Sequence, residues 1–174
     1  MVLLLKPDFD NLFTESGPFV WRALGRLGVS QADVPDVCQE VFLIVHRKLV
    51  EYDGRAPLRA WIYGICVRTA ADYRKRAYRR HETLEAALPE PSAPASQPRQ
   101  VEARRARSRL QAVLDGLGTG QREVFVLYEL EELSMSEVAR ALDCPLQTAY
   151  SRLHAARAAV TEAFRERELE REAR

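Results

Sequence analysis

The chain has 174 residues, of which 47% are hydrophobic and 29% are charged, and its formal net charge is +1. This length allows one ordinary domain or two small ones, and the balanced charge excludes a uniformly basic nucleic-acid coat. The three cysteines, Cys38, Cys66 and Cys144, are far apart in the sequence, which excludes a disulfide framework and a CxxC zinc site. They favour a reducing compartment.

The amino terminus starts with a short apolar run. Residues 1–5 are apolar, but Lys6, Pro7 and Asp8 follow at once. This run is too short for a signal peptide or a membrane span. The sequence therefore predicts a cytoplasmic protein with no membrane insertion.

Helical periodicity runs through the first half, and the alternation typical of strands is absent, so we predict an all-α fold. A first helix is expected over 9–27, with an interruption at Gly17-Pro18. A second helix starts near Asp33, where Pro35 suits the first turn. Its apolar residues recur at three- and four-residue steps and form one buried face: Val34, Val37, Cys38, Val41, Phe42, Val45 and Leu49.

Another set of side chains on this second helix lies away from the centre of the apolar face. It comprises Asp36, Gln39, Glu40, Leu43 and Arg47. Taken alone, these residues are most simply interpreted as a solvated helix surface. Their mixture of carboxylate, amide and aliphatic groups would also suit a basic helical partner.

A predicted loop over 52–56 precedes a third helix, which opens at Pro57 and runs to about Leu84. The last third of this helix is strongly basic, because six Lys or Arg residues oppose the single acid Asp72 between residues 61 and 80. These cations are Arg68, Arg74, Lys75, Arg76, Arg79 and Arg80. A local patch of this kind is typical of phosphate contact.

Two aromatic residues on the third helix have alternative interpretations. Trp61 stands beside Ile62 and Ile65, so core packing is the favoured role for its side chain. Tyr73 suits core packing and contact with a nucleic-acid base about equally.

A proline-rich segment over 88–100 separates the two halves. It carries four prolines and almost no large apolar residues, which predicts a flexible linker between domains at 1–87 and 101–174. Fully extended, this segment could reach ~40 Å at about 3.3 Å per residue. That reach exceeds one turn of duplex DNA, about 34 Å.

The second half contains four predicted helices, over 102–117, 120–130, 135–142 and from 146 into the charged tail. Ser134 and Glu137 have the spacing of a capping box at the start of the third of these. Asp143, Cys144 and Pro145 form a turn before the last helix. Two short helices around a tight turn, the second of them polar and basic, are typical of a DNA-binding helix-turn-helix.

Five stretches together resemble a bacterial RNA polymerase sigma factor of the extracytoplasmic-function (ECF) type. They are DVPDVCQEVF at 33–42, LRAWIYGI at 58–65, ADYRKR at 71–76, LSMSEVA at 133–139 and CPLQTAYSRLHAAR at 144–157. The resemblance covers about residues 8 to 165, and both halves match in the expected order. It implies two small all-α domains, the N-terminal one with three to four helices and the C-terminal one with four.

The resemblance also implies partners and residue roles. The second helix would bind core RNA polymerase at the coiled coil of the largest subunit, through Asp36, Gln39, Glu40, Leu43 and Arg47. The C-terminal domain would meet the flap of the second-largest subunit. A dedicated anti-sigma factor is a possible further partner, and no cofactor or metal is implied.

Two promoter elements would be recognised separately. The residues implied for recognising and melting the −10 element are Tyr52, Asp53, Arg55, Arg68, Tyr73, Arg74, Lys75, Arg76, Arg79 and Arg80. The residues implied for reading the −35 element are Gln147, Thr148, Tyr150, Ser151, Arg152, His154 and Arg157. Tyr150 and Ala155 stand where relatives often have basic residues, so this reading helix is less basic than usual.

The sequence also bears on two other kinds of function, catalysis and gene regulation without polymerase binding. No catalytic constellation is visible, because His46, His81 and His154 are scattered and no phosphate-binding loop or HExxH motif occurs. The chain is therefore not expected to be an enzyme. The main alternative is a stand-alone helix-turn-helix regulator, and a further one is a sigma homologue that binds polymerase without melting DNA.

Overall fold

The computed structural model describes residues 9–81 and 98–172. Within these ranges the chain is helical and has no strand, which confirms the all-α prediction. The α-helices are α1 (Phe9–Arg26), α2 (Val34–Lys48), α3 (Leu58–His81), α4 (Pro98–Asp115), α5 (Thr119–Phe125), α6 (Met135–Ala141) and α7 (Leu146–Glu172). A 3-10 turn (Leu49–Glu51) follows α2, and a π-helical segment (Val126–Leu130) follows α5.

The N-terminal lobe consists of α1, α2 and α3, which pack against one another. The apolar face predicted for α2 is buried at Val34, Val37, Val41, Phe42 and Val45. Burial of this face is the main force that holds α2 against its neighbours, since apolar side chains leave water there.

The predicted interruption of α1 at Gly17-Pro18 is wrong, because α1 continues through both residues. Pro18 is exposed, and so is Thr14, whose carbonyl oxygen loses its helical partner there and can bind water instead. Ser16 and Phe19 are buried on either side of Pro18. Packing of this face therefore holds the helix together across the proline.

The C-terminal lobe consists of α4 to α7. Its first helix begins at Pro98 instead of the predicted 102, so the last three residues of the predicted linker are helical. A proline is tolerated in a first helical turn because its missing N–H has no partner there in any case. The rest of that linker and the predicted end of the third helix at Leu84 lie outside the described residues.

The predicted capping box of α6 is confirmed. The Ser134 hydroxyl accepts a hydrogen bond from the Glu137 backbone N–H, and the Ser134 N–H donates to the Glu137 carboxylate at 2.7 Å. Asp143 adopts a left-handed conformation with φ of 49°, and the Cys144 N–H bonds the Ala139 carbonyl oxygen at 3.0 Å. This helix end reverses the chain into α7, which gives the predicted helix-turn-helix.

The helix predicted over 120–130 differs from the observed segment in its second half. After Phe125 the backbone widens into the π-helical segment, and Glu132 just beyond it has a left-handed φ of 59°. Between them Glu131 lies inward, and only 4% of its surface is exposed. Glu131 thereby reaches the N-terminal lobe.

The two lobes share one continuous apolar core, in which α6 lies directly against α3. Gly64 of α3 marks a close approach, because a Cβ atom there would lie 3.2 Å from the backbone oxygen of Ala141. As a result α3 is buried on two sides, and residues 62–67 are all buried.

Candidate functional site

The candidate polymerase-binding surface lies on α2, opposite its buried face. Asp36, Gln39, Leu43 and Arg47 line this side, and Leu43 presents 57% of its surface to solvent. Glu40 is half-buried, and its carboxylate pairs with the Arg76 guanidinium of α3 at 3.0 Å. The structure therefore brings all five predicted residues to one side of the N-terminal lobe.

An open apolar groove of about 730 Å³ runs beside this surface, between α1 and α2. Phe13 and Trp21 on its α1 side are 50% and 42% exposed. Exposed aromatic rings of this kind are unusual for a solvated helix and typical of a protein contact. This groove is not among the features predicted from the sequence, although Phe9, Phe13 and Trp21 are spaced by four and eight residues on one side of α1.

The loop before α3 is ordered by its own polar groups. The Tyr52 hydroxyl donates to the Ala56 carbonyl oxygen at 2.5 Å, and the Tyr52 ring packs against Trp61 with centroids 5.3 Å apart. Burial raises the pKa of the Tyr52 hydroxyl. Asp53 and Arg55 are exposed and form an ion pair at 3.2 Å. The loop thus offers one carboxylate and one guanidinium to solvent beside a packed aromatic pair.

Most of the basic row on α3 is exposed to solvent. Arg68, Lys75, Arg76 and Arg79 lie along the helix, and Arg68, Lys75 and Arg79 are exposed. The Arg76 side chain keeps 47% of its surface exposed beside Glu40. Arg80 follows on the same helix. Four of the six predicted cations, Arg68, Lys75, Arg76 and Arg79, therefore present a positive surface to solvent.

Tyr73 and Arg74 do not join that exposed surface. Tyr73 is 8% exposed, and its hydroxyl donates to the Asp33 carboxylate at 2.6 Å. The Arg74 guanidinium binds the Leu27 carbonyl oxygen and pairs with the Glu123 carboxylate of α5 at 2.9 Å. Both residues point inward because the segments beside α3 supply acceptors on that side.

The reading surface predicted in the C-terminal lobe lies at the start of α7. Gln147, Tyr150, Ser151 and His154 are exposed, and Tyr150 presents 50% of its surface. The opposite side of this helix is buried at Ala149, Leu153 and Ala156, which anchors it to the lobe. Thr148 is half-buried between the two sides.

The two predicted arginines of α7 are engaged within the lobe. Arg152 is half-buried, and a Cβ atom at Gly120 of α5 would lie 3.1 Å from its Nε atom. The Arg157 guanidinium pairs with the Glu129 carboxylate at 2.6 Å and lies 5.6 Å from the centre of the Tyr128 ring. The free part of the reading surface is therefore polar and aromatic, with no strong positive charge.

Metal sites and membrane-spanning helices were also sought among the described residues. Within 9–81 and 98–172, no group of three or more His, Cys, Asp or Glu residues is placed to hold a metal ion. None of the helices in those ranges is long and apolar enough to span a membrane.

Comparison with known proteins assigns both lobes. Residues 12–80 match the family described as "Sigma-70 region 2", and residues 107–160 match "Sigma-70, region 4". The chain is 34% identical over 144 residues to the ECF RNA polymerase sigma-E factor of Escherichia coli strain K12, covering 76% of this chain and 74% of that protein. It is 30% identical over 158 residues to the RNA polymerase sigma factor CnrH of Cupriavidus metallidurans, covering 86% of this chain and 83% of CnrH.

The fold agrees with these matches. A solved structure of CnrH in complex with the cytosolic domain of CnrY superposes with a TM-score of 0.69 and 26% sequence identity. The superposition covers 91% of this chain and 88% of that one. Both sigma-70 regions therefore occur here in order, one in each lobe, and the chain belongs to the sigma-70 family of RNA polymerase sigma factors, in its ECF group.

Proposed function

We propose that this sigma factor binds core RNA polymerase through α2 and directs initiation by contacting two promoter elements, one with each lobe. The observation that carries the proposal is the presence of an exposed cationic row on α3 and an exposed reading surface on α7 in a single chain. In this account the chain supplies binding and recognition, and the polymerase supplies the catalysis.

Core binding uses the exposed side of α2 together with the apolar groove. Leu43 provides an aliphatic anchor, while Asp36 and Gln39 provide polar contacts around it. This arrangement suits the coiled coil of the largest polymerase subunit, because a basic helix can pair with the carboxylate and amide. The C-terminal lobe meets the flap of the second-largest subunit.

Recognition and melting of the −10 element use α3 and the loop before it. Arg68, Lys75, Arg76 and Arg79 contact phosphates, which attracts DNA without reading its sequence. Asp53 and Arg55 in the loop offer hydrogen bonds to an unstacked base of the displaced strand. Arg80 continues the row. Arg74 joins it when the packing of the lobes changes, whereas Tyr73 must also give up its hydrogen bond to Asp33 within its own lobe.

Recognition of the −35 element uses the start of α7 in the major groove. Gln147, Tyr150, Ser151 and His154 reach base edges there. Thr148 contacts the adjoining backbone at the start of the helix, where N–H groups and the helix dipole favour phosphate. Arg152 and Arg157 support this helix from behind through their contacts with α5, Tyr128 and Glu129.

Control by an inhibitory partner follows from the likeness to CnrH. The solved CnrH structure contains the cytosolic domain of CnrY. We place this chain in the cytoplasm, where a comparable anti-sigma domain would hold it until a signal releases it.

The test is transcription with purified components. The chain is mixed with sigma-free core polymerase and fragmented genomic DNA of its own source, and run-off transcripts are sequenced. We expect co-elution with core and transcripts that start at a small set of sites sharing two upstream elements. A stand-alone regulator would instead bind duplex DNA by itself and give no transcript with core, which would overturn the proposal.

A further inference from the structure

The contact between the two lobes is centred on a buried carboxylate. Glu131 follows the π-helical segment and accepts hydrogen bonds from three donors of the N-terminal lobe. The Arg26 guanidinium lies 2.5 Å away, the Arg59 guanidinium 3.4 Å away, and the hydroxyl of the fully buried Tyr63 completes the set. All three donors come from across the lobe boundary, so this carboxylate serves the contact between the lobes.

Further polar contacts surround this centre. Arg122 of α5 donates through its Nε atom to the Arg26 carbonyl oxygen at 2.6 Å. Arg140 of α6 donates to the carbonyl oxygen of Arg55 at 2.9 Å. With the pair between Arg74 and Glu123, charged side chains of α5 and α6 reach α1, α3 and the loop between α2 and α3.

These contacts cover part of the N-terminal lobe that would face the −10 element. Arg55 and Arg74 belong to the residue set that the family resemblance assigns to that element. The C-terminal lobe binds the Arg74 guanidinium and the backbone carbonyl oxygen of Arg55, whose own side chain stays 88% exposed. The Glu123 carboxylate pairs with the Arg74 guanidinium in the way that a DNA phosphate would. A DNA strand and the C-terminal lobe therefore compete for the same cation.

The energetics of this contact favour a reversible closure. A buried ion pair loses much of its attraction to desolvation, so its net contribution to stability is small. Arg26 and Arg59 keep 27% and 51% of their side-chain surface exposed, so water can solvate both when Glu131 leaves. Contacts between domains of one chain commonly open and close unless they are large and apolar. Here opening must also separate the apolar contact between α6 and α3.

We propose that Glu131 latches a closed, autoinhibited conformation, in which α5 and α6 cover part of the −10-binding surface until the lobes separate. The inference rests on the proposed function for its consequence in transcription, but closure itself is independent of that function. Opening frees the Arg74 guanidinium from Glu123, releases the loop backbone at Arg55 from Arg140, and lets the lobes reach two separate DNA segments.

Three variants of the full chain test the latch. E131Q removes the buried charge with little change of shape, and E132Q removes a charge from the adjacent exposed position as the matched control. Gly64→Leu opens the lobes by a different route, because even a Cβ atom there approaches the Ala141 backbone closely. Circular dichroism first establishes that each variant retains its helices.

Two measurements are made on each variant: the radius of gyration by small-angle X-ray scattering, and the affinity for a fluorescent single-stranded oligonucleotide of mixed sequence. We expect E131Q and Gly64→Leu to expand and to bind the oligonucleotide about three- to tenfold more tightly, with E132Q equal to wild type. Affinity rises by this factor when the closed form outnumbers the open form by about the same ratio.

Two results would overturn the latch: neither opening variant expands, or both expand and bind the oligonucleotide no better than wild type. Run-off transcription with core polymerase separates this outcome from failure of the proposed function. If wild type gives no transcripts while the variants expand and bind DNA more tightly, the latch stands and the promoter role falls. If wild type transcribes and the variants do not expand, only the latch falls.

Discussion

The two helices proposed to meet DNA differ in how their charges are used. On α3 most of the predicted cations face solvent, and Arg74 is held by the other lobe. On α7 both predicted arginines are tied to their own lobe, and the exposed residues are uncharged or weakly basic. From this difference we expect α3 to supply most of the affinity for DNA and α7 to supply most of the selectivity for promoter sequence.

The physical basis of this division is the nature of the DNA group contacted. Phosphate contacts release counterions, so they depend steeply on salt and little on sequence. Base-edge contacts depend on sequence and contribute little to the salt dependence. The proposed division would be wrong if α3 variants changed promoter choice, or if α7 variants changed the salt dependence of DNA binding. Variants of α2 serve as a reference, because loss of core binding affects both helices.

The largest effect is expected from the polymerase-binding surface. Combining Gln39→Ala, Glu40→Ala and Leu43→Asp should abolish transcription from every promoter, because neither DNA-binding helix acts without core. Co-elution with core polymerase measures the loss, and an unchanged melting temperature shows that the fold remains. Unaltered affinity for core polymerase would show that this surface of α2 does not bind it.

A smaller, uniform effect is expected from α3. Replacing Lys75, Arg76 and Arg79 together by alanine should weaken holoenzyme binding at all promoters alike. The slope of log affinity against log salt should fall by about two, at roughly 0.7–0.9 for each phosphate that the variant no longer neutralises. Filter binding over a salt series measures this slope.

The matched control for that variant removes the same charge elsewhere. Arg104, Arg105 and Arg107 are exposed on α4, and their replacement by alanine should leave the salt slope unchanged. Equal slopes for the α3 and α4 variants would mean that overall charge, rather than the α3 row, attracts the DNA.

A selective effect is expected from α7. Tyr150→Ala and His154→Ala should each change promoter choice by about 1–3 kcal/mol for every base-edge interaction removed, while the salt slope stays constant. Sequencing of run-off transcripts measures the reordering, with Thr161→Ala on the same helix as the control. An equal loss of transcription at all promoters would indicate that this helix contacts phosphates instead of bases.

The smallest effect concerns the α6 cap that supports the reading helix. The hydrogen bonds from Ser134 lower the pKa of the Glu137 carboxyl. A lowered pKa in the folded state gives stability above the unfolded pKa, and that stability is lost as pH falls through the folded pKa. In Glu137→Gln, the melting temperature should fall less steeply as the pH is lowered into the acid range. The same fall as in wild type would contradict the stabilising role of the Glu137 carboxylate.

Much of this architecture is predictable from local sequence pattern. The apolar face of α2 follows from three- and four-residue spacing, and the capping box from the pair Ser134 and Glu137. Both features depend on residues close in sequence, whose geometry the helix itself dictates. The same holds for the exposed side of α7.

The packing of the lobes is not predictable in this way. Glu131 meets Tyr63 and Arg26 across sequence separations of 68 and 105 residues, which leave no periodic trace. The inward position of Arg74 follows from the same lobe packing, whereas that of Tyr73 depends on Asp33, 40 residues away in its own lobe. The unbroken course of α1 through Pro18 likewise depends on burial of neighbouring side chains, which composition alone does not reveal.

The most direct test of two lobes on one start site is site-specific photocrosslinking in the holoenzyme. A benzoylphenylalanine probe replaces Tyr150 in one sample and Lys75 in another, on the same promoter fragment. The account predicts that the Tyr150 probe labels upstream duplex at the −35 element and the Lys75 probe labels DNA at the −10 element. Labelling of one common segment by both probes, or of no DNA by either in the presence of core, would contradict it.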